Sequence, residues 1–341
     1  MSFNNTKILI IQTAFIGDVI LATSLVEYIK NHFSETEIHF LLRKGNESIL
    51  ANNNKISKVH IWNKQKKISS LISTIVKIRE EKFDTVINIQ RFFSSGLITL
   101  LSGAQNKVGF NKNPLSFFFT YSLEHKIPHK IENEYLHEVQ RNITLLQNLI
   151  TDYQIPDKLD LKPKLYFSEK EKIKIDSITS NLRPYIVIAP ASVWYTKQWH
   201  IEKWKLLVSE CMNTYDIVMI GGPPDRNYLN QITDLYPSVI NLVGKLSLTE
   251  SALIMKDAKR VFVNDSAPLH LASSVNAKTT AIFCSTSPDF GYTPIADDSK
   301  IISEYGNLEC LPCGLHGHKK CPKNHFKCSG NIEIKAVIDT I

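Results

Sequence analysis

The segment AFIGD, directly after an apolar run, carries a side chain that could move a proton. It follows KILIIQT (7–13) and ends in Asp18. Gly17 permits a tight turn, and Asp18 is predicted at or near the start of the next helix, whose N-terminus favours an ionised carboxylate. Asp18 could therefore accept the proton of an attacking hydroxyl as a general base. The structural alternative is an aspartate that only caps the helix.

The segment NDSAPLHLA (264–272) follows another apolar run and has the residue types of an anion site. Ser266 is predicted to cap a helix that Pro268 starts. A helix start presents free N–H groups with the helix dipole behind them, and this suits a diphosphate. Because Pro268 has no N–H, we expect Ala267 and Leu269 to be among the donors.

The segment ASVWYTKQWH (191–200) comes directly after the apolar run 185–190. Ser192 and Thr196 could donate hydrogen bonds to phosphate oxygens, and Lys197 supplies a positive charge. The alternative is a solvated lysine beside aromatic side chains that pack on the edge of a sheet. The residues alone leave both interpretations open.

Three other polar residues near predicted strand ends have functional and structural interpretations. Asp225 follows the run 216–222 and could bind ribose hydroxyls, or it could be a helix N-cap. Asp265 and His270 share the loop-to-helix junction of NDSAPLHLA, where His270 could also be a partly buried structural histidine. HEVQR (137–141) lacks the second histidine of H-E-x-x-H, and we interpret it as helix surface that packs between domains.

Two familiar nucleotide motifs and one metal motif are missing from the sequence. Neither G-x-G-x-x-G after a strand nor G-x-x-x-x-G-K-[ST] occurs, which argues against ordinary dinucleotide enzymes and P-loop NTPases. No Asp-x-Asp follows a predicted strand, so we expect no divalent-metal site there.

The elements that must position these residues alternate between apolar and amphipathic segments. In the first half the predicted strands are 7–13, 37–43, 58–63 and 84–90, and the predicted helices are 19–33, 69–82 and 94–104. In the second half the predicted strands are 185–190, 216–222, 239–244, 260–264 and 279–285, and the predicted helices are 201–213, 225–236, 248–258 and 266–275. Near-continuous apolar strands that alternate with helices predict two α/β units with parallel sheets. Ligands bind beyond the carboxyl ends of such strands, so we expect the two sheets to face a central cleft.

Length and composition agree with a protein of two domains. The 341 residues are 43% hydrophobic and 21% charged, as in ordinary soluble proteins. We predict an N-terminal domain at 1–160, a linker with a short helix at 161–184, and a C-terminal domain at 185–341. Asp18 interrupts the apolar N-terminal stretch and no run of 18 apolar residues occurs, so we expect a cytoplasmic protein.

The positive charge is concentrated in the first half of the chain. Residues 1–150 carry 18 Lys and Arg residues against 12 Asp and Glu residues. This surface could be an ordinary solvated face, or it could meet an acidic ligand or membrane headgroups. Basic segments such as NKQKK (63–67) do not interleave with aromatic residues in a known binding motif, so we expect no nucleic-acid partner.

Six cysteines fall into two groups. Cys211 and Cys284 lie in apolar segments and are predicted to be core thiols. The other four lie in a Cys-rich loop at 310–328, with three histidines nearby; they are Cys310, Cys313, Cys321 and Cys328. C-x-x-C is half of a zinc site, but the second pair is spaced differently. A structural zinc site, a reduced packed loop and a redox-labile pair all stay open.

Four segments in this order resemble the glycosyltransferase family 9 heptosyltransferases, which add heptose to the lipopolysaccharide inner core. They are KILIIQTAFIGDVILATSLVEYIK, SVWYTKQWHIEKWKLL, VFVNDSAPLHLASSVNAKTTAIFCSTSP and CLPCGLHGHKKC. The resemblance extends from about residue 7 to about residue 330. It implies a GT-B fold of two Rossmann-like domains, with the acceptor held by the N-terminal domain and the donor, ADP-heptose, by the C-terminal domain.

The resemblance also implies an inverting transfer that requires no metal or other cofactor. It matches Gly17 and Asp18 to the acceptor side, with Asp18 as the base, and Lys197 to the lysine near the donor diphosphate. The other donor-side residues that it implies are Ser192, Thr196, Asp225, Asp265, Ser266, Ala267, Leu269 and His270. The implied acceptor is the phosphorylated lipid A–Kdo core at the inner face of the inner membrane, where the enzyme would be peripheral.

Three further interpretations of the sequence stay open, and one residue departs from the family pattern. A family member with another nucleotide sugar or acceptor, an epimerase of nucleotide sugars, and a non-catalytic nucleotide-binding module at a membrane are alternatives. Family 9 usually has Asp-Ser-Gly-Pro-Met-His, and this chain has Ala267 at the glycine position. If that turn needs a positive φ, we expect strain at Ala267.

Overall fold

The computed structural model describes residues 5–128, 135–151 and 153–341, without the side chains of Lys66 and Lys67. Residues 1–4, 129–134 and 152, all within the predicted N-terminal domain, lie outside the described residues, as do these two side chains of the basic segment NKQKK.

The chain divides into two compact units. Unit 1 consists of Met1–Lys126 and Glu138–Tyr166, and unit 2 consists of Ile127–His137 and Phe167–Ile341.

Unit 1 contains a parallel sheet of six strands in the order β3-β2-β1-β4-β5-β6. The strands are β1 (Lys7–Ile11), β2 (Glu37–Arg43), β3 (Lys58–Trp62), β4 (Thr85–Asn88), β5 (Asn106–Phe110) and β6 (Tyr121–Leu123). The helices are α1 (Ile16–His32), α2 (Lys67–Glu80), α3 (Phe93–Leu101) and α4 (Glu138–Thr144). The order of strands reverses between β1 and β4, and this switch point is where open α/β sheets bind ligands.

Unit 2 repeats the arrangement with the order β12-β11-β10-β7-β8-β9. Its strands are β7 (Tyr185–Ala189), β8 (Asp216–Met219), β9 (Ile240–Asn241), β10 (Arg260–Asn264), β11 (Thr279–Phe283) and β12 (Ser299–Ser303). Its helices are α5 (Glu169–Thr179), α6 (Ile201–Cys211), α7 (Arg226–Thr233), α8 (Leu248–Lys256), α9 (Ala267–Ser274), α10 (Lys327–Gly330) and α11 (Ile334–Ile338). The switch point of this sheet lies between β7 and β10.

The central strands form because their apolar side chains are covered on both faces of each sheet. Every residue of β7 and of β10 is buried, and so are residues 8–11 of β1. Local signals fix some helix starts, as where Ser247 and Glu250 form a reciprocal capping box at α8. The α/β fold class with parallel sheets is thereby confirmed.

Sequence patterns did not reveal β5, β6 and β12. These three strands lie at or next to the edges of their sheets, and their sequences NKVGF, YSL and SKIIS lack a continuous apolar run. An edge strand is partly solvated, so it does not require such a run.

The interpretation of HEVQR as helix surface is wrong. His137, Glu138 and Arg141 are all buried. Glu138 accepts hydrogen bonds from Arg141 at 2.8 Å and pairs with His125 at 3.0 Å. Burial alone would raise the pKa of Glu138, but the charges of Arg141 and His125 hold it well below its usual range.

In the part of the chain that the structure describes, no helix has both the length and the apolar character that a membrane span needs.

Candidate functional site

Two loops meet at the switch point of unit 2, one after β7 and one after β10. Lys197, in a single helical turn after β7, places its Nζ 2.6 Å from Oδ2 of Asp265, which follows β10. Only 15% of the Lys197 side chain and 8% of the Asp265 side chain are exposed. Two residues that the sequence assigned separately to the donor side are thus one nearly buried ion pair.

A third loop completes the surroundings of Asp265. Thr286, which follows the neighbouring strand β11, donates its hydroxyl to Oδ2 of Asp265 at 2.6 Å. Burial alone would raise the pKa of Asp265, but the Lys197 ammonium and the Thr286 hydroxyl hold it below its ordinary value. Asp265 is therefore an ionised carboxylate in a nearly dry site. Sequence analysis missed Thr286, although the run Ser-Thr-Ser after an apolar strand next to β10 was a usable signal.

Asn264 holds the loop after β7 close to the end of β10. It is fully buried at the end of β10. Its side-chain amide donates to the backbone oxygen of Pro190 at 2.6 Å and accepts from the backbone N–H of Trp199 at 3.0 Å. These bonds fix both ends of the loop that carries Lys197.

The start of α9 differs in detail from the predicted anion site. Ser266 is the N-cap residue, but its hydroxyl donates to the Asn264 carbonyl at 3.4 Å and makes no capping bond. The Leu269 N–H donates to the Ser266 carbonyl at 3.0 Å, and its predicted role as a phosphate donor stays a prediction. The helix begins at Ala267, whose φ is not positive, so the glycine of the family pattern is not needed for backbone conformation here.

Thr196 forms hydrogen bonds with the Cys-rich loop. Its backbone N–H donates to the His318 carbonyl at 3.1 Å, and its hydroxyl accepts from the His318 N–H at 2.7 Å. Thr196 is also almost fully buried. Thr196 thereby joins the Lys197 turn to residues 317–318, a contact that no local sequence pattern indicated, and its role as a donor to phosphate stays a prediction.

The other predicted donor-side residues lie near the same sheet edge. Ser192 is half-buried, and its carbonyl accepts from the Gln198 side chain at 2.7 Å. Asp225 is the N-cap residue of α7, and its Oδ2 accepts from the Gly222 N–H at 2.7 Å. His270 is buried within the first turns of α9, and its charge contributes to the lowered pKa of Asp265.

In unit 1, Asp18 follows β1 at the switch point. Helix α1 begins at Ile16 with Phe15 as its N-cap, so Asp18 is the third helical residue and the capping alternative is wrong. Gly17 lies inside the first turn and not in a tight turn of its own. An acidic residue in the first turn still lies in the favourable field of the helix dipole.

Two cations adjoin the loop before Asp18. Lys64 donates to the Thr13 carbonyl at 2.7 Å, and the Arg43 guanidinium lies 5.7 Å from the centroid of the Phe15 ring. Burial and the nearby Arg43 charge lower the pKa of Lys64. The carboxyl edge of unit 1 therefore combines one carboxylate with two cations.

The Cys-rich loop contains four free thiols. The Cys310 Sγ lies 4.0 Å from Nε2 of His325, Cys313 donates to the Cys310 carbonyl at 3.3 Å, and the Phe326 N–H donates to Cys321 at 3.4 Å. The predicted zinc site of Cys310, Cys313, Cys321 and Cys328 stays a prediction, which metal analysis of the purified protein would decide. Cys211 and Cys284 are buried core thiols, as predicted, and burial raises the pKa of both.

A separate polar cluster joins β2, β3 and the end of α2. Among the described residues, His39, His60 and Glu81 form the one group of three or more His, Cys, Asp or Glu side chains whose ligand atoms lie within 4.8 Å of one another. The Nδ1 of His39 lies 3.0 Å from Nε2 of His60. Both Glu81 oxygens already accept from ammonium groups, one from Lys7 at 2.7 Å and one from Lys58. These hydrogen bonds, from Lys58 and Lys7, lower the pKa of Glu81 to about 2, so we interpret the cluster as a charge-balanced network.

The fold and the site define an α/β protein of two Rossmann-like sheets with charged residues at each switch point. The family model of glycosyltransferase family 9 (heptosyltransferase) matches residues 72–324. The chain belongs to glycosyltransferase family 9, and it is therefore a glycosyltransferase. This confirms the family that the sequence resembles.

Individual relatives agree over nearly the whole chain. A lipooligosaccharide heptosyltransferase 2 from Campylobacter jejuni is 25% identical over 342 residues and covers 98% of both chains. The solved family 9 glycosyltransferase of Veillonella parvula has a TM-score of 0.82 at 19% identity, covering 100% of this chain and 97% of that chain. The E. coli ADP-heptose lipopolysaccharide heptosyltransferase II has a TM-score of 0.76 at 20% identity, and the match covers 98% of this chain and 97% of that chain. The solved structures confirm the predicted GT-B fold class.

Proposed function

We propose that this glycosyltransferase transfers heptose from ADP-heptose to the lipopolysaccharide inner core. The observation that carries the proposal is the Lys197–Asp265 ion pair at the switch point of unit 2, where doubly wound sheets bind nucleotides. The relatives support the choice of donor and acceptor, because they include an ADP-heptose enzyme and lipooligosaccharide or lipopolysaccharide heptosyltransferases.

On the donor side, Lys197 binds the diphosphate of the donor. A lysine ammonium has three donors, so Lys197 can keep its bond to Asp265 and still donate to phosphate oxygens. The buried, ionised Asp265 fixes that ammonium in position. Lys197 and the start of α9 then stabilise the negative charge that develops on departing ADP, a role that needs no metal ion.

On the acceptor side, Asp18 is the general base. The acceptor hydroxyl attacks the anomeric carbon from the face opposite ADP, a new C–O bond forms, and the bond from that carbon to the diphosphate oxygen breaks. Asp18 takes the hydroxyl proton, and the anomeric configuration is inverted. Lys64 and Arg43 would pair with phosphates of the lipid A–Kdo acceptor, so we place the enzyme in the cytoplasm, peripheral to the inner face of the inner membrane.

A thermal-shift screen of nucleotides tests the donor class. We expect ADP and ADP-heptose to stabilise the protein, while UDP, GDP and their sugars do not, because binding to the folded state raises its stability. A Lys197→Gln variant should lose most of the response to ADP and keep its fold. No response to ADP, or an equal response to UDP, would contradict the proposal.

A further inference from the structure

Unit 1 exposes an unusual set of phenylalanines. Phenylalanine is normally among the buried residue types. Of the described phenylalanines, five are exposed, with 46% to 73% of their surface accessible; they are Phe15, Phe92, Phe93, Phe117 and Phe118. All five follow the carboxyl ends of strands in unit 1.

The order of the strands arranges these side chains in a row. Phe15 follows β1, residues 92–93 follow β4 and residues 117–118 follow β5, and these three strands are consecutive neighbours in the sheet. The Asn113 side chain donates to the Phe92 carbonyl at 3.0 Å and accepts from the Leu115 N–H at 3.0 Å. The loop after β5 is thereby held against the loop after β4, so the loops that carry the exposed rings are neighbours at the carboxyl edge of the sheet.

Cations interleave with the rings along the same edge. Arg43 ends β2 and lies over Phe15, and Arg91 lies 5.6 Å from the centroid of Phe92. Lys64 follows β3 and lies 5.7 Å from the same Phe92 ring. The five phenylalanines with Arg43, Lys64 and Arg91 are named the aromatic–cationic edge.

We infer that the aromatic–cationic edge docks on a bilayer that contains anionic phospholipids. Aromatic rings can enter the boundary between headgroups and acyl chains, and neighbouring Arg and Lys side chains pair with lipid phosphates. This deepens the proposed function, since Asp18 follows the same edge and a lipid-borne acceptor would reach it from the bilayer. The docking surface itself depends only on the exposed side chains and their charges.

The charges favour a bilayer over a second copy of the chain. A symmetric dimer through this edge would bring the same patch against itself, so that its cations would face each other. An anionic surface instead complements all three cations and accommodates the rings.

Binding to vesicles by the full chain, without donor or acceptor, tests the inference. We expect the protein to sediment with vesicles of phosphatidylethanolamine and phosphatidylglycerol, and more weakly with phosphatidylcholine. The double variant Phe117→Ser, Phe118→Ser should bind at least about tenfold more weakly, because two apolar side chains leave the interface. Ile173→Ser, which changes a 67% exposed residue of α5 in unit 2, is the matched control and should bind like wild type.

A second variant tests the charges. Arg91→Gln should weaken binding to anionic vesicles by about fivefold, with little effect on phosphatidylcholine, because one cation near an anionic surface contributes about 1 kcal/mol. The inference would be overturned if the wild-type protein did not bind anionic vesicles, or if the double variant bound them like wild type. Self-association in an ultracentrifuge that the double variant abolishes would also overturn it, in favour of a second copy.

The outcome is separable from that of the proposed function. Transfer to a deacylated, water-soluble acceptor should be the same in wild type and in the double variant. Loss of vesicle binding with this soluble activity retained supports the docking surface. Retention of vesicle binding in a protein that has no ADP-dependent transfer would count against the proposed function alone.

Discussion

Asp18 occupies the third position of α1, where it does not serve as the helix cap. The cap position belongs to Phe15, which has no side-chain oxygen to accept a backbone hydrogen bond. An aspartate at this place lies in the favourable field of the helix dipole and at the switch point of the sheet, and both features suit the proposed base. Two cations, Lys64 and Arg43, adjoin the loop before Asp18.

Removal of the Asp18 carboxylate tests its role as the base. Asp18→Asn should lower kcat by roughly 10²–10⁴-fold, because a positioned general base contributes that much to a transfer. The affinity for ADP should stay the same, since the proposed donor site lies in unit 2. Steady-state rates and ADP titration by calorimetry measure the two effects.

Glu202→Gln supplies the control, because Glu202 is also an acidic residue in the first turn of a helix, α6. Both variants lose a similar interaction with a helix dipole, and Glu202→Gln should keep full activity. Equal activity in Asp18→Asn and wild type would exclude Asp18 as the base.

Thr286 contacts Asp265 but was not among the predicted site residues. Thr286→Val removes the hydroxyl donor to Asp265, and we expect the free energy of unfolding of unit 2 to fall by about 2 kcal/mol at neutral pH. The pKa of Asp265 should rise in the variant. Since the folded-state pKa of Asp265 is lowered, its stabilisation is present above the unfolded pKa and is lost as the pH falls, so the difference between variant and wild type should shrink in acid.

Urea unfolding followed by tryptophan fluorescence measures the free energy of unfolding of unit 2, because Trp194, Trp199 and Trp204 all lie in that unit. Thr286→Ser keeps a hydroxyl and should resemble wild type. A loss of stability in the valine variant that does not change between neutral and acidic pH would show packing and not the Asp265 bond as its cause.

At the scale of elements, the chain's own patterns predicted the strands around each switch point, but they missed β5 and two of the four edge strands, β6 and β12. Residues 8–11 of KILII and all of RVFVN are buried, and both strands were recognisable by their apolar runs. The edge strand SKIIS is half-exposed and carries no such run. The loop that carries Lys197 shows a second limit: Thr196 forms hydrogen bonds with His318 of the Cys-rich loop, more than one hundred residues away in sequence, and no local pattern predicts that contact.

The Cys-rich loop should therefore position Lys197. Gly317 has a φ of +76°, and a Cβ there would lie 3.1 Å from Lys197 Cγ and 3.2 Å from Thr196 Oγ1. Gly317→Ala should weaken ADP binding severalfold more than backbone strain alone, because the Lys197 side chain must give way by a few tenths of an ångström.

Gly306→Ala is a matched control for backbone strain. Gly306 has a φ of +90° and nothing within 4 Å of a built Cβ. Both substitutions introduce a side chain at a residue with a positive φ, but only Gly317→Ala disturbs Lys197. ADP titration should therefore show weaker binding in Gly317→Ala than in Gly306→Ala. Equal ADP affinity in the two variants would show that the loop does not position the lysine.

The histidine network predicts an acid-sensitive edge of unit 1. Burial and the charge of neighbouring His39 lower the pKa of His60 from 6.5 to about 4. Between these values the unfolded chain binds more protons than the folded chain, so stability falls as the pH drops through that window, by up to about 3 kcal/mol. Above pH 6.5 this contribution is constant.

Hydrogen exchange of peptides from β2 and β3, measured at pH values across the window, checks this expectation. His60→Gln should flatten the dependence, whereas His32→Gln, a change of an exposed histidine in α1, should not. The same acid sensitivity in His60→Gln and wild type would contradict the assignment to His60.

At the scale of the whole molecule, two units repeat one strand order and each places charged residues at its switch point. Alternation of strands and helices was sufficient to predict the class of fold, because covered parallel strands leave a clear apolar pattern. The pairing of Lys197 with Asp265 and Thr286 could not be predicted, since it depends on which strands are neighbours. Asn264 shows the same limit: its bonds to Pro190 and Trp199 join segments about seventy residues apart.

Mass-spectrometric analysis of a transfer reaction tests the central claim most directly. Purified protein treated with EDTA is mixed with a phosphorylated lipid A–Kdo acceptor and either ADP-heptose or UDP- and GDP-sugars. We predict one added heptose from ADP-heptose alone, with the anomeric configuration inverted by NMR. Transfer from another nucleotide sugar, retention of configuration, or no product with ADP-heptose would contradict the account.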